Sequence, residues 1–256
     1  YMTLTTYYGT FGFYNDDGGT NYKHTADQAA YGTSSDKGTS GSMVDAYDVG
    51  GYSNIRYTLP ADIIPFLSHA EYSVYVGGTS ATVDAAAAGS EVNVDVKSIE
   101  QGAVKVAPID GLEIGAQYYN EEAEAAATDG GQEKESGTVY LTYAVGPATI
   151  GLGQSLVAPA IASTTSTFDY YENNLYSVGF AVNEALSVSL SREESAKQDS
   201  ADSGSNTFYD LEIDSIQAAY TAGGMTLAIT HESMTNSGYA DGADVNETMV
   251  SMKMDF

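Results

Sequence analysis

The chain has 256 residues, with 9 Lys+Arg against 35 Asp+Glu, a formal net charge of −26, and neither cysteine nor tryptophan. So few cations argue against nucleic acid as a partner, since a polyanion binder needs clustered Lys and Arg. The lack of cysteine excludes disulfides, thiolate metal sites and a Cys nucleophile. No run of roughly 18 apolar residues occurs, which excludes a membrane-spanning helix but not membrane strands of about 9 to 11 residues with alternate positions apolar.

Tyr1-Met2-Thr3-Leu4-Thr5-Thr6-Tyr7-Tyr8 reads as mid-strand with no charged or apolar leader before it, so the natural N-terminus is expected upstream. Period-2 alternation then recurs to the end, with no helical stripe. Strands are expected over Met2–Tyr8, Thr10–Tyr14, Asn54–Leu59, His69–Gly77, Lys97–Val106, Leu112–Glu121 and Thr138–Val145. They continue over Ala148–Ser155, Leu175–Val182, Ala185–Glu193, Ile213–Thr221, Met225–Ser233 and Thr248–Phe256. In each, one face is apolar and the other small or polar: Tyr176, Val178, Phe180 and Val182 alternate with Ser177, Gly179 and Ala181.

Alternation alone also fits a soluble sandwich, so the connections have to discriminate. Pro108-Ile109-Asp110-Gly111, Gly146-Pro147, Asn183-Glu184 and Ala222-Gly223-Gly224 are tight turns by their Gly, Pro and Asn content. Long polar links over 78–95, 122–136, 157–172, 195–210 and 234–247 alternate with them. Strict short–long alternation predicts a single all-β domain over 1–256, an antiparallel up-and-down transmembrane β-barrel with one smooth and one looped rim.

The stretch 15–52 is too long for an ordinary hairpin link. Gly9-Thr10-Phe11-Gly12-Phe13-Tyr14 before it resembles the strand leading into the constriction loop of Gram-negative general porins, and Asn54-Ile55-Arg56-Tyr57-Thr58-Leu59-Pro60 resembles the strand leaving it. A terminal Phe256 closing an alternating apolar strand is similar to the assembly signal of outer-membrane barrels. The acidic, Gly- and Tyr-rich style is that of alphaproteobacterial (Rhodobacter-like) porins. The resemblance implies a bacterial outer-membrane homotrimer among lipid and lipopolysaccharide, with 15–52 folded inward as the third extracellular loop. It also implies roughly 16 strands, of which about 13 lie here and about three would precede Tyr1.

Function then means passive diffusion of small hydrophilic solutes and ions, with cation preference expected from the acidic balance, no enzymatic activity and no required cofactor. Parity turns Ile55, Tyr57 and Leu59 to lipid and Arg56 to the lumen, with Lys105 and Glu71 of the same parity on other strands. The resemblance implies carboxylates on the inward loop opposite basic wall residues. Candidates are Asp16, Asp17, Asp27, Asp36, Asp45 and Asp48, of which Asp45 and Asp48, late in the loop, are favoured.

Acidic loop clusters containing Asp129, Asp241 and Asp244 are weak candidates for Ca²⁺, through hard oxygen ligands in no EF-hand spacing. His24, His69 and His231 fall in no catalytic spacing and read as structural. Gly151, Gly153 and Gly179 lie within strands, where they ease curvature or close packing. The competing readings are a non-conducting adhesin or structural barrel with Ca-binding loops, and an outer-membrane lipase or protease, for which no convergent acid–base or nucleophile set is visible.

Overall fold

Tight turns and alternating segments dictate hairpins, and hairpins in series build one sheet. The computed structural model describes residues 1–15, 26–31, 53–75, 79–85, 90–123, 132–159, 169–199 and 209–254. Its strands are β1 (Met2–Thr6), β2 (Gly9–Tyr14), β3 (Asn54–Thr58), β4 (Leu67–Tyr75), β5 (Thr79–Ala85), β6 (Ser90–Ile109) and β7 (Leu112–Ala123). Then come β8 (Lys134–Val145), β9 (Ala148–Ala158), β10 (Asp169–Ala181), β11 (Leu186–Asp199), β12 (Leu211–Ala222), β13 (Met225–Thr235) and β14 (Val245–Met254). Every pairing is antiparallel between chain neighbours along β1-β2-β3-β4-β6-β7-β8-β9-β10-β11-β12-β13-β14, with β5 paired to β6 off this path. β1 and β14 end the pairing path among the described residues.

The turns on one rim are minimal. Ala222 pairs with Met225 across Gly223-Gly224, both at positive φ (60° and 79°), as a two-residue hairpin of matching twist demands. At the β10–β11 turn the Asn183 carboxamide oxygen accepts the N–H groups of Ala185 and Leu186, both at 2.9 Å.

Burial is the reverse of a water-soluble fold. Gln101, Gln217 and Glu121 are 0, 1 and 2% exposed, while Val139, Leu190 and Val250 are 55, 54 and 67% exposed. A flat sheet would leave both faces open, so a polar face this well covered means that the sheet curls around it. Ile150, Leu152, Tyr176, Phe180, Leu190, Ile216, Leu227 and Val250 all stand on the open face. Eight large apolar side chains with about half of their area open on one face form a patch larger than water-soluble monomers carry. The solvent on that face is hydrocarbon, and the polar face lines an interior.

The links extend the ladders further than expected. Much of 78–95 is a paired ribbon of β5 with the start of β6, and β6 runs for 20 residues. β10 begins at Asp169 and β11 continues to Asp199, inside the expected links 157–172 and 195–210. In the β5–β6 ribbon the sequence keeps its period, with Ala81, Val83 and Ala85 alternating with Ser80, Thr82 and Asp84, and Val92, Val94 and Val96 with Glu91, Asn93 and Asp95. The link 234–247 is compact: Ser237–Tyr239 form a 3-10 turn, and Tyr239 packs into an inward cluster with Val157, Tyr171, Leu211, Ile213 and Met234.

Candidate functional site: the polar interior

The interior has two unlike walls. On β2 to β8 the side chains are charged. Arg56 of β3 is 4% exposed, its guanidinium 3.9 Å from the ring centroid of Tyr14 and its Nε 3.8 Å from Glu71 Oε2. His69, two residues before Glu71 on β4 and therefore on the same face, brings Nε2 to 3.3 Å from the same oxygen. Next along the wall, Lys105 Nζ lies 3.1 Å from Glu113 Oε2, and the Tyr140 hydroxyl donates to Glu113 Oε1 at 3.0 Å. Nearer the looped rim, Lys134 Nζ lies 3.4 Å from Glu121 Oε2 and 5.6 Å from the centroid of the Tyr119 ring, whose hydroxyl donates to Glu121. Among the described residues, each of these charges has an opposite partner, as the well-covered Arg56, Glu71 and Glu121 require.

The wall from β9 to β13 is lined mainly by hydroxyls and amides. Asn173 Nδ2 donates to Ser155 Oγ at 3.1 Å, Ser195 Oγ donates to Asn173 Oδ1 at 2.6 Å, and Ser195 Oγ meets the Tyr239 hydroxyl at 2.8 Å. Glu193 and Glu232 are its buried carboxylates.

Residues 26–31, from between β2 and β3, lie across the strands of this second wall. The Gln28 N–H donates to Ser177 Oγ of β10 (3.1 Å), the Ala30 N–H to Ser189 Oγ of β11 (2.8 Å) and the Tyr31 N–H to Gln217 Oε1 of β12 (2.9 Å). The Ser177 hydroxyl donates in turn to the Ala26 carbonyl. Glycine makes room beneath: a Cβ on Gly151 would fall 1.7 Å from the Ala26 carbonyl oxygen, and one on Gly179 would fall 2.8 Å from that of Gln28.

Arg56, Glu71 and Lys105 thus lie together on one interior wall. Asp45, Asp48 and Asp129 fall outside the described residues, as do Asp16, Asp17, Asp36 and His24, and of the loop 15–52 only Asn15 and 26–31 are described. Asp244 accepts the Asn236 N–H at 3.2 Å within the turn, and Asp241 stands exposed. Among the described residues no three His, Cys, Asp or Glu side chains converge on a point that could hold a metal ion. Sequence reasoning passed over His69, Glu113, Tyr14, Tyr140 and the Glu121–Lys134 pair. The parity that selected Arg56 would have found His69 beside Glu71, and Glu113 on the same face as Lys105, two residues from its cross-strand partner Gly115.

No family model matches the sequence, and no curated protein matches it. Among solved structures, the outer-membrane expressed OmpT of Vibrio cholerae superposes with a TM-score of 0.56 at 12% identity, over 97% of this chain and 77% of that one. The fold is that of an outer-membrane β-barrel. Its inverted burial and this likeness place the chain in a bacterial outer membrane.

The likeness also overturns one expectation, that the chain has no enzymatic activity. That expectation rested on finding no catalytic spacing in the sequence, and a shared fold with an OmpT removes the ground for excluding catalysis. The general-porin resemblance reduces to the outer-membrane barrel that the likeness carries.

Proposed function

We propose that this chain is a general porin of the alphaproteobacterial type, a water-filled channel for passive diffusion of small hydrophilic solutes and ions. The observation that carries the reading is the largely polar inner face, on which paired charges line one wall while a chain segment is folded against the other. Selectivity in such a passage needs only charges placed along it, since field lines concentrate in water bounded by low-dielectric walls. The excess of carboxylates supports cation preference, and the apolar outer face supports a trimer among outer-membrane lipid and lipopolysaccharide.

The test is single-channel conductance in a planar bilayer with a salt gradient across it. Stepwise currents of roughly nanosiemens scale with a reversal potential of cation-selective sign are expected. A barrel that is folded by heat-modifiable mobility yet carries no current refutes the proposal.

A further inference from the structure

The segment 26–31 crosses four strands, and at each crossing the wall presents a residue small enough, or a side-chain acceptor placed well enough, to receive it. On β9 a Cβ on Gly153 would sit 3.2 Å from the Ala26 Cβ, and any Cβ on Gly151 would overlap the Ala26 carbonyl. On β10 Ser177 both accepts from the Gln28 N–H and donates to the Ala26 carbonyl, while Gly179 lies under Gln28. On β11 and β12, Ser189 and Gln217 take the N–H groups of Ala30 and Tyr31.

These receivers fall on two rungs of the ladder two residues apart: Gly151 is cross-strand from Ser177 on one, and Gly179 from Ser189 and Ser189 from Gln217 on the other. The segment therefore satisfies its backbone as an extra strand would, but on side chains rather than on a sheet edge. Its depth in the interior is set by how small those side chains are.

We infer that Gly151, Gly153, Ser177, Gly179, Ser189 and Gln217 form a seat that presses residues 26–31 flat against the hydroxyl-rich wall and so fixes the bore of the channel. The inference rests on the channel reading for its consequence and on the contacts alone for the seat. Each is a positioning residue. Adding bulk beneath the segment moves it away from that wall into the interior and narrows the passage. Mid-strand glycine otherwise only weakens a strand, and Gly137 on the lipid-facing side, where an added Cβ meets nothing within 4 Å, provides the control.

Two variants of the full chain test this. Because the chain has no cysteine, Ala26→Cys with Gly153→Cys introduces the only thiols, at a Cβ separation close to the roughly 3.5–4.5 Å of a disulfide. Oxidation of the folded barrel should join them, seen as the loss of two hydrogens by intact mass. Gly151→Ala should lower conductance by about two-fold or more while Gly137→Ala leaves it alone.

Thiols that stay free in a folded, oxidised barrel overturn the seat. A disulfide that forms while Gly151→Ala conducts like the parent overturns its control of the bore. A disulfide in the double variant alongside a folded parent protein that never conducts sinks the channel reading, and the role of the seat in setting a bore with it, leaving only the contact.

Discussion

Neutralising Arg56 removes one positive charge from the charged wall and leaves Glu71 with His69 as its neighbour, 3.3 Å away. An ion passing roughly 8 Å from that site in water, at about 0.1 M salt, feels about 0.2 kcal/mol from one unit charge after screening over a Debye length of roughly 10 Å. The effect has opposite sign for cation and anion, so Arg56→Gln should raise the cation-to-anion permeability ratio about two-fold at that salt. At about 1 M, where the Debye length is roughly 3 Å, the shift should nearly vanish.

Glu71→Gln should move the ratio the opposite way, and the double variant should return close to the parent, because the pair as a whole adds no net charge. The reversal potential under a salt gradient reads all three. Barrels that are folded yet show singles shifting together, or a shift equal at both salt concentrations, would refute the assignment of this pair to the conducting wall. Arg56 is buried, and removing one partner of a covered pair costs up to roughly 3–5 kcal/mol. Folding must therefore be checked in each variant by its urea midpoint.

Neighbouring residues on β14 should respond oppositely. Val250→Arg puts a charge in hydrocarbon and should cost roughly 2–4 kcal/mol in a reversible unfolding titration from lipid vesicles, whereas Ser251→Arg, one residue on and facing inward, should cost less than about 1 kcal/mol. Tyr239 sits at φ 61°, a conformation bulky residues avoid, and is held by its ring packing and by the hydroxyl contact to Ser195. Tyr239→Ala should destabilise by about 3 kcal/mol and expose the 236–244 link to limited proteolysis, with a cleavage rate equal to that of the parent counting against the tucked arrangement.

The parts of the fold legible in the sequence were those written in period two. Leu186, Val188 and Leu190 against Ser187, Ser189 and Ser191 assign both faces of β11 without reference to any other strand, and the same parity puts Arg56 and Glu71 on the inner one. The ribbon of β5 and β6 was not recognised, although Ala81, Val83 and Ala85 alternate with Ser80, Thr82 and Asp84, because its small and polar residues stand in a stretch whose composition reads as a link. Nor was the place of Tyr239, which depends on strands distant in sequence.

The seat is the intermediate case. Gly151, Gly153 and Gly179 were visible as mid-strand glycines on the polar face, a sign of close approach, but nothing local says that the approaching chain is 26–31, about 150 positions away. Hydrogen bonds from backbone N–H to serine carry no pattern on the donor side, since every residue but proline offers the same group.

The 20 residues of β6 amount to a ribbon about 66 Å long, more than twice the roughly 25 Å apolar belt of an outer-membrane barrel. On the other rim, β12 returns as β13 after two glycines. A membrane packed with this protein would thus have one nearly smooth face and one studded with ridges, and a scanning tip drawn over each would tell them apart by relief alone.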